Sequence, residues 1–282
     1  MKKAFALIAA LTAVTAVGAT VNQPQTATAA GTVPRPDHVI VVMEENHSYS
    51  EVIGNTTEAP YINSLKTLGA SFSDSHGVEH PSQPNYFDLF SGTNHSVTSD
   101  TCPHTFTTPS LASQLIGAGL TFGGYSEDLP YTGFTGCSNL KYYRKHAPWV
   151  NFSNLPTSIN MPFTSFPTDF TKLPTISFVI PNQDHDMHDG TINQADTWLK
   201  TNLDSYVQWA KTHNSLLIVQ WDEDDFGTSN QIPTLFVGPM VKAGSYSENI
   251  NHFNVLRTLE DMYALPTVSK STTATPITDV WN

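Results

Sequence analysis

The sequence predicts an α/β fold: a doubly wound, mostly parallel central sheet with helices on both faces. Three short apolar runs rich in β-branched residues indicate buried strands. Segments with helical spacing lie between them, and this alternation is typical of a parallel sheet. Polar residues directly follow each run, at the sheet edge where open α/β folds bind ligands. The runs are HVIVVM at 38–43, TISFVI at 175–180 and LLIVQW at 216–221.

The remaining elements follow from local signals. Pro60 favours the start of a helix, and Gly119 favours the end of one. Trp198, Leu203 and Tyr206 belong to the clearest apolar stripe at helical spacing in the chain. The predicted helices cover 60–68, 83–91, 109–118, 193–213 and 252–263, and two further strands cover 120–125 and 233–237.

Residues 128–172 are rich in Pro, Thr, Ser, Phe and Asn and show little periodicity. A stretch of this length is typical of a functional loop, and we expect it to carry Cys137 and to form a lid over the site. The chain has two cysteines, Cys102 and Cys137. An even count in an exported protein favours a disulfide. Two free thiols are the alternative, whereas the absence of a Cys-x-x-Cys spacing disfavours a soft metal site.

The first thirty residues have the pattern of an export signal. Lys2 and Lys3 precede an apolar stretch at 4–19, and the Ala-Thr-Ala at 27–29 offers a cleavage site. A membrane anchor is the alternative, which the short apolar run and the polar stretch after it disfavour. We therefore expect a secreted, extracellular protein without a transmembrane anchor after cleavage, in which residues 31–282 form a single domain.

The charge balance constrains the partners. The net charge is −12, and removal of residues 1–30 takes away two lysines and no acids, which gives −14. An acidic surface disfavours nucleic acid as a partner, because non-specific binding depends on basic residues. Phosphate substrates stay compatible, since a bound dication reverses the local sign of charge. We expect a monomer.

Carboxylates and imidazoles follow the predicted strands in two groups that suit a divalent metal. The first group combines two imidazoles with a carboxylate, and the second offers only oxygen ligands, which suit a harder ion. The alternative for the acidic run at 222–225 is a solvated turn, but the run directly follows LLIVQW. The first group is Asp184, His188 and His252, and the second is Glu45, Asn46, Asp222 and Glu223.

Ser82 and the pair Lys145–His146 are the other candidates for chemistry. Ser82 lies between two prolines in HPSQPNY (80–86), where a helix is expected to begin. A hydroxyl there is either a nucleophile, activated by a metal near free N–H groups, or a simple N-cap. Lys145 and His146 would hold phosphate oxygens or protonate a leaving group. From the residues alone, a surface basic patch is the better interpretation of that pair.

Six motifs, given in chain order at the end of this paragraph, together resemble the bacterial secreted acid phosphatase/phosphoesterase family of the alkaline phosphatase superfamily. The resemblance covers about residues 37–266. This family includes phospholipase C relatives and a secreted phosphatidylinositol 3-phosphate phosphatase. The motifs are VVMEENHSY, HPSQPNY, YYRKHAPW, PNQDHDMHDG, WDEDD and HFNVLRTLEDMYALP.

The resemblance implies metal-assisted phosphoryl transfer on an alkaline phosphatase-like sheet. Ser82 matches the nucleophile that takes the phosphoryl group, and His146 and His185 are implied as further catalytic residues. Asn85 and Lys145 are implied to contact substrate. The implied metal ligands are Glu45, Asn46, Asp222 and Glu223, joined by Asp184, His188 and His252 where a second ion is bound.

The chain departs from the two-metal pattern at Glu223, where those enzymes usually have histidine, so the expected cofactor is one or two divalent ions. The expected function is a secreted phosphomonoesterase, with a phosphate monoester or a phosphoinositide lipid as substrate. A phosphodiesterase or phospholipase C is the first alternative. A non-enzymatic metal- or phosphate-binding protein is the second, because a fold alone does not establish activity.

Overall fold

The computed structural model describes Met1 and residues 33–282. The chain divides into two units, and the larger one, Gly31–Asn282, contains all the described residues except Met1. The predicted export signal lies outside the described residues apart from Met1. Within the described part of the chain, no helix combines the length and the apolar character that crossing a membrane requires.

The larger unit alternates strands and helices. The strands are β1 His38–Glu44, β2 Ala70–Phe72, β3 Ser75–His76, β4 Phe122–Ser126, β5 Ser138–Asn139, β6 Tyr142–Tyr143, β7 Asn160–Pro162, β8 Ile176–Ile180, β9 Ser215–Trp221, β10 Thr234–Val237, β11 Gly244–Tyr246 and β12 Ile250–Asn251. The α-helices are α1 Tyr49–Val52, α2 Pro60–Leu68, α3 Ser82–Ser91, α4 Leu111–Gly117, α5 Ile192–Ala210 and α6 His252–Met262. Short 3-10 turns include Arg144–His146 and Pro148–Asn151.

Eight strands form the central sheet in the order β11-β2-β10-β9-β1-β8-β4-β7. The five strands from β9 to β7 are parallel, β10 is antiparallel to both of its neighbours, and β11 is parallel to β2. The prediction of a mostly parallel sheet is therefore confirmed. The three apolar runs are the adjacent strands β9, β1 and β8, so their carboxyl ends lie side by side.

Side chains of β1 alternate between the two faces of the sheet. Val39, Val41 and Met43 pack in the apolar layer that contains α3, α4 and α6. Ile40 and Val42 pack in the opposite layer with α2 and α5. Helices thus cover both faces, as predicted, and a strand buried on both sides needs the continuous apolar run that β1 shows.

The long segment after β4 contains only short elements, namely strands of two or three residues and several 3-10 turns. A disulfide joins Cys102 and Cys137, with Cα atoms 5.9 Å apart, which confirms the expected pairing. Beyond Cys137, β5 and β6 form a small antiparallel hairpin. The Arg144–His146 turn follows directly and leads back toward the sheet.

Candidate active site

The loops after β1, β8 and β9 are tied together by backbone hydrogen bonds. The Glu45 amide donates to the Asp186 carbonyl at 2.7 Å, and the Asp222 amide donates to the Glu44 carbonyl at 3.0 Å. The Asn46 amide donates to a carboxylate oxygen of Asp222 at 3.2 Å. The carboxyl ends of three neighbouring strands therefore converge on one place, as the sequence predicts.

Three buried side chains at this place are close enough together to hold a metal ion. One potential ligand atom each from Glu45, His146 and Asp186 lies within 4.8 Å of the others. His146 Nε2 is 3.0 Å from Glu45 Oε1, and His146 Nδ1 is 3.3 Å from Asp186 Oδ2. His146 Nε2 and Asp186 Oδ2 nevertheless make no hydrogen bond. Buried polar atoms normally have a partner, so these atoms fit a bound cation.

Ser82 is the first residue of α3 and lies between two buried carboxylates. Its Oγ is 3.0 Å from Glu45 Oε2 and 3.0 Å from Glu223 Oε1. A hydroxyl carries one hydrogen, so Ser82 donates to one of these carboxylates at a time. Glu45 is therefore shared between the Ser82 hydroxyl and the group formed with His146 and Asp186.

Burial dominates the electrostatics of the site. It raises the pKa values of Glu45, Asp186 and Asp222, and the Glu45 charge raises those of Asp186 and Asp222 further. Burial also raises the pKa of Glu223 to about 7 and holds the pKa of His146 well below its usual range. A dication among these groups would offset the repulsion between carboxylates. The donor set of carboxylate, amide and imidazole also suits such an ion.

Two further buried oxygens support that fit. Asp222 Oδ2 and Asn46 Oδ1 have no hydrogen-bond partner. Asn46 adopts a φ of 53°, a left-handed conformation that asparagine tolerates better than most residues. The predicted oxygen ligands Glu45, Asn46, Asp222 and Glu223 therefore belong to one neighbourhood.

The predicted second group is not brought together in the same way. Asp184 pairs with Lys141 at 2.9 Å, and its side chain is 41% exposed. His188 lies beside the site, with Nε2 3.2 Å from Lys145 Nζ and Nδ1 2.8 Å from Asp189. His185 pairs with Glu127 at 2.9 Å and stacks on Trp198. In the loop after β8, Asp186 therefore lies inside the cluster, whereas Asp184 and His185 are directed elsewhere.

His252 contacts the backbone of Asp222 and the side chain of Gln220. Its Nε2 lies 2.6 Å from the Asp222 carbonyl, and its Nδ1 lies 3.0 Å from Gln220 Nε2. A carbonyl only accepts, so Nε2 carries the hydrogen and Nδ1 accepts from the amide. Both ring nitrogens are thus engaged, and burial lowers the pKa of His252 to about 4. In this arrangement the imidazole positions the Asp222 backbone and has no free nitrogen for a metal.

Lys145 and Asn85 have different surroundings. Lys145 Nζ lies 2.9 Å from Asp100. Burial lowers the Lys145 pKa, but Glu45 and Asp100 outweigh that effect and leave it raised, so Lys145 is a cation beside the cluster. The Asn85 amide bonds the backbone of the loop before Ser82, accepting from Val78 and Glu79 and donating to carbonyls. Its hydrogen-bond capacity is thereby used, so Asn85 shapes the loop that presents Ser82.

Sequence reasoning missed Asp186, His80 and Tyr86. His80 pairs with Glu223 through its Nδ1. The Tyr86 hydroxyl donates to Glu45, and the Tyr86 ring stacks on His146 with centroids 5.1 Å apart. His80 and Tyr86 lie in the HPSQPNY motif that predicted Ser82, so the motif as a whole was the available signal. Asp186 lies in the predicted acidic run, but spacing did not show which carboxylate points inward.

Comparison with known proteins identifies the family of this chain. A family model described as the Phosphoesterase family matches residues 55–266. A Phosphatidylinositol-3-phosphatase of Mycobacterium tuberculosis is 52% identical over 92% of this chain and 87% of its own length. A Phosphate-repressible acid phosphatase of Penicillium chrysogenum is 26% identical over 74% of this chain, which spans 55% of that relative's length.

Solved structures show the same fold. The lipoteichoic acid synthase LtaP from Listeria monocytogenes superposes with a TM-score of 0.61 at 12% identity, covering 93% of this chain and 80% of that one. A protein of the alkaline phosphatase superfamily from Vibrio parahaemolyticus gives a TM-score of 0.60 at 12% identity, covering 86% and 71%. The family match spans residues 55–266, which is most of the chain. This protein therefore belongs to the phosphoesterase family and is a phosphoric ester hydrolase with an alkaline phosphatase-like fold.

Proposed function

We propose that this protein is a secreted phosphomonoesterase that transfers the phosphoryl group to Ser82 with the help of a divalent cation. The observation that carries the proposal is the placement of the Ser82 hydroxyl between Glu45 and Glu223, at the start of a helix and at the carboxyl end of the sheet. A nucleophile needs a base within hydrogen-bond reach, and both carboxylates satisfy that requirement.

Ser82 and Glu223 have distinct roles in the proposed reaction. Ser82 Oγ attacks phosphorus as it loses its proton, the bond from phosphorus to the ester oxygen breaks, and the leaving oxygen takes a proton from water. Glu223, with a pKa raised to about 7 by burial, is matched to accept the Ser82 proton near neutral pH. Water then attacks the phosphoserine, releases phosphate and restores the hydroxyl.

Charge on the phosphate oxygens is balanced by two features of the chain. Lys145 is a cation held beside the cluster, and the N-terminus of α3 carries a partial positive charge at Ser82. A cation held by Glu45, Asn46, Asp222 and neighbouring donors would supply Lewis-acid stabilisation of the developing charge. We propose one or two divalent ions, with Asp186 and His146 as donors in addition to Glu45, Asn46 and Asp222.

The relatives support the class of substrate. The mycobacterial relative, at 52% identity, is named a Phosphatidylinositol-3-phosphatase, and the fungal relatives are named acid phosphatases. We propose a phosphate monoester substrate, with a phosphoinositide lipid such as phosphatidylinositol 3-phosphate as the favoured one. We also propose export and signal cleavage, which the residues at 1–30 support and which the amino-terminal sequence of protein recovered from culture medium would test.

Ser82→Ala is the central test. It should abolish phosphate release from nitrophenyl phosphate while the far-UV spectrum and melting temperature stay close to those of the parent. Ser91→Ala is the matched control, because Ser91 is a buried serine of the same helix whose hydroxyl bonds the Phe87 carbonyl. Near-normal turnover by Ser82→Ala would show that another group is the nucleophile.

The same preparation separates the alternatives. Faster hydrolysis of bis-nitrophenyl phosphate than of nitrophenyl phosphate would identify a diesterase. Chelation should stop turnover and added divalent ions should restore it, whereas full activity in a protein shown to be metal-free would remove the cation from the proposal. No phosphate release from any ester, with metal binding retained, would identify a binding protein.

A further inference from the structure

Exposed apolar side chains concentrate near the candidate site. Among residues 33–282, the large apolar side chains that are exposed are Leu68, Ile116, Tyr131, Leu140, Tyr143 and Phe226. Single exposed apolar residues are normal on a protein surface. Here, however, four of the six lie on two loops at the carboxyl edge of the sheet: the segment before His146 and the loop after Glu223.

Leu140 is the most exposed of these side chains. It lies in the two-residue turn between β5 and β6, is 79% exposed and adopts a φ of 49°. Glycine or asparagine is favoured at such a turn position, because a branched side chain with a positive φ is strained. Leu140 therefore has both an unfavourable conformation and an unfavourable solvent exposure, and a partner for its side chain would explain its presence.

The hairpin that carries Leu140 is anchored at the site. Lys141, at the turn, pairs with Asp184 and Asp189 of the loop that also carries Asp186. Six residue-to-residue steps separate Leu140 from His146, so the tip lies at most about 20 Å from the buried cluster. A surface that contacts Leu140 would thus lie at the end of the sheet that carries the site.

The hairpin is also braced. Cys137, directly before β5, is held by the disulfide to Cys102. The Tyr131 ring packs edge-on against Phe134 at 5.5 Å, and Phe134 packs against Tyr142 at 5.9 Å. Leu140 is therefore presented on a supported arm, which lowers the ordering cost of binding.

We propose that Leu140, Tyr131 and Tyr143 form an apolar tip that inserts into the interface of a lipid membrane, so that a headgroup phosphate reaches Ser82. This inference rests on the proposed lipid phosphate substrate and adds the surface that delivers it. An enzyme acting on a headgroup has the mouth of its pocket toward the bilayer. Leucine and tyrosine are suited to that boundary, where an apolar ring or chain is buried and a hydroxyl stays in water.

Charge identifies the kind of membrane contact. Lys141 is offset by Asp184 and Asp189, and the whole chain has a net charge of −12. Attraction to anionic lipid therefore contributes little, and insertion depends on apolar contact. Phe226, which is 68% exposed and stacks on His80 with centroids 5.0 Å apart, adds a second apolar contact from the loop after Glu223.

Leu140→Asn tests the proposal without threatening the fold. Asparagine suits the positive φ, so the melting temperature should stay equal or rise, and turnover of nitrophenyl phosphate should stay unchanged. Binding to phosphatidylcholine vesicles, measured by co-sedimentation, should weaken about tenfold. Hydrolysis of vesicle-borne phosphatidylinositol 3-phosphate should fall in parallel, and vesicle binding by the parent should change little between low and high salt.

Leu68→Asn is the matched control. Leu68 is an exposed leucine at the end of α2, and it lines a cavity with Val237, which pairs with Leu217 near the start of β9. It therefore lies at the sheet edge opposite the site, and its replacement should leave vesicle binding unchanged.

The outcomes separate the two proposals. Equal vesicle binding by the parent and Leu140→Asn would overturn the membrane tip, even if the enzyme hydrolyses soluble esters as proposed. Concentration-dependent dimerisation that Leu140→Asn abolishes, without vesicle binding by the parent, would assign the tip to a second copy and also overturn it. Conversely, vesicle binding that depends on Leu140 in a protein that releases no phosphate would support the tip while the proposed hydrolase activity fails.

Discussion

We expect Asp88 to make the stability of this protein depend on pH. It lies in the middle of α3, the helix that begins with Ser82, and it is fully buried with no hydrogen-bond partner for either carboxylate oxygen. Burial, assisted by the nearby Glu79 charge, raises its pKa to about 8, while Lys270 acts in the opposite direction. The folded protein therefore keeps Asp88 protonated at pH values where the unfolded chain, with an ordinary aspartate pKa of about 3.9, has lost that proton.

The sign follows from the proton balance. Below about pH 4 both states are protonated and the contribution to stability is fully present. Between that pH and 8, the folded state binds one more proton, so the free energy of unfolding falls by about 1.4 kcal/mol per pH unit. From pH 5 to pH 8 the loss attributable to Asp88 is about 3–4 kcal/mol, or about 10 °C in melting temperature for a chain of this size.

Asp88→Asn should remove that dependence, because asparagine has a similar shape and does not ionise. The free energy of unfolding of the variant minus that of the parent should be about 3–4 kcal/mol larger at pH 8 than at pH 5. Both are measured by urea unfolding at constant salt, with chelator throughout. Asp225→Asn, which replaces an exposed acid, is the control and should show no such change. A difference between parent and Asp88→Asn that is the same at both pH values would refute the reasoning.

Two further predictions follow from the site and the core. Asp186→Asn should weaken binding of Mn²⁺ or Zn²⁺ about tenfold or more by calorimetry, because it removes a buried charged donor, whereas Asp184→Asn should have little effect. Equal losses in the two variants would show that Asp186 has no special role. Gly124→Ala should destabilise the protein by about 2–3 kcal/mol through overpacking, since the added Cβ would lie 2.1 Å from Trp149 Cε2. Unchanged urea unfolding would mean that the indole has room to shift.

The central sheet could be predicted because its strands are buried on both faces. HVIVVM, TISFVI and LLIVQW need continuous apolar residues for that burial, and they became β1, β8 and β9 with bounds shifted by a residue or so. β2 and β11 were not predicted, because three residues are too few for a periodic signal. The antiparallel direction of β10 was also outside reach, since a strand sequence carries no direction of its own.

The site was predictable where residues directly follow a strand. Glu45 and Asp222 follow β1 and β9, so the sheet itself places them at one edge. The loop after β8 is different, because a spacing of four brings side chains together only on a helix, and residues 181–190 form turns. The structure therefore turns Asp184 toward Lys141 and Asp186 inward, where its carbonyl accepts from the Glu45 amide.

The disulfide between Cys102 and Cys137 ties the segment that leads to Lys145 and His146 to the loop around Asp100. The bridged residues are 35 apart in sequence, and closing a loop of that length removes about 4 kcal/mol of chain entropy from the unfolded ensemble on the entropic model. One end lies near Asp100, the partner of Lys145, and the other leads to His146. A reducing environment such as cytosol would remove this tether, and we therefore expect the segment to be held in place most firmly where the disulfide is formed.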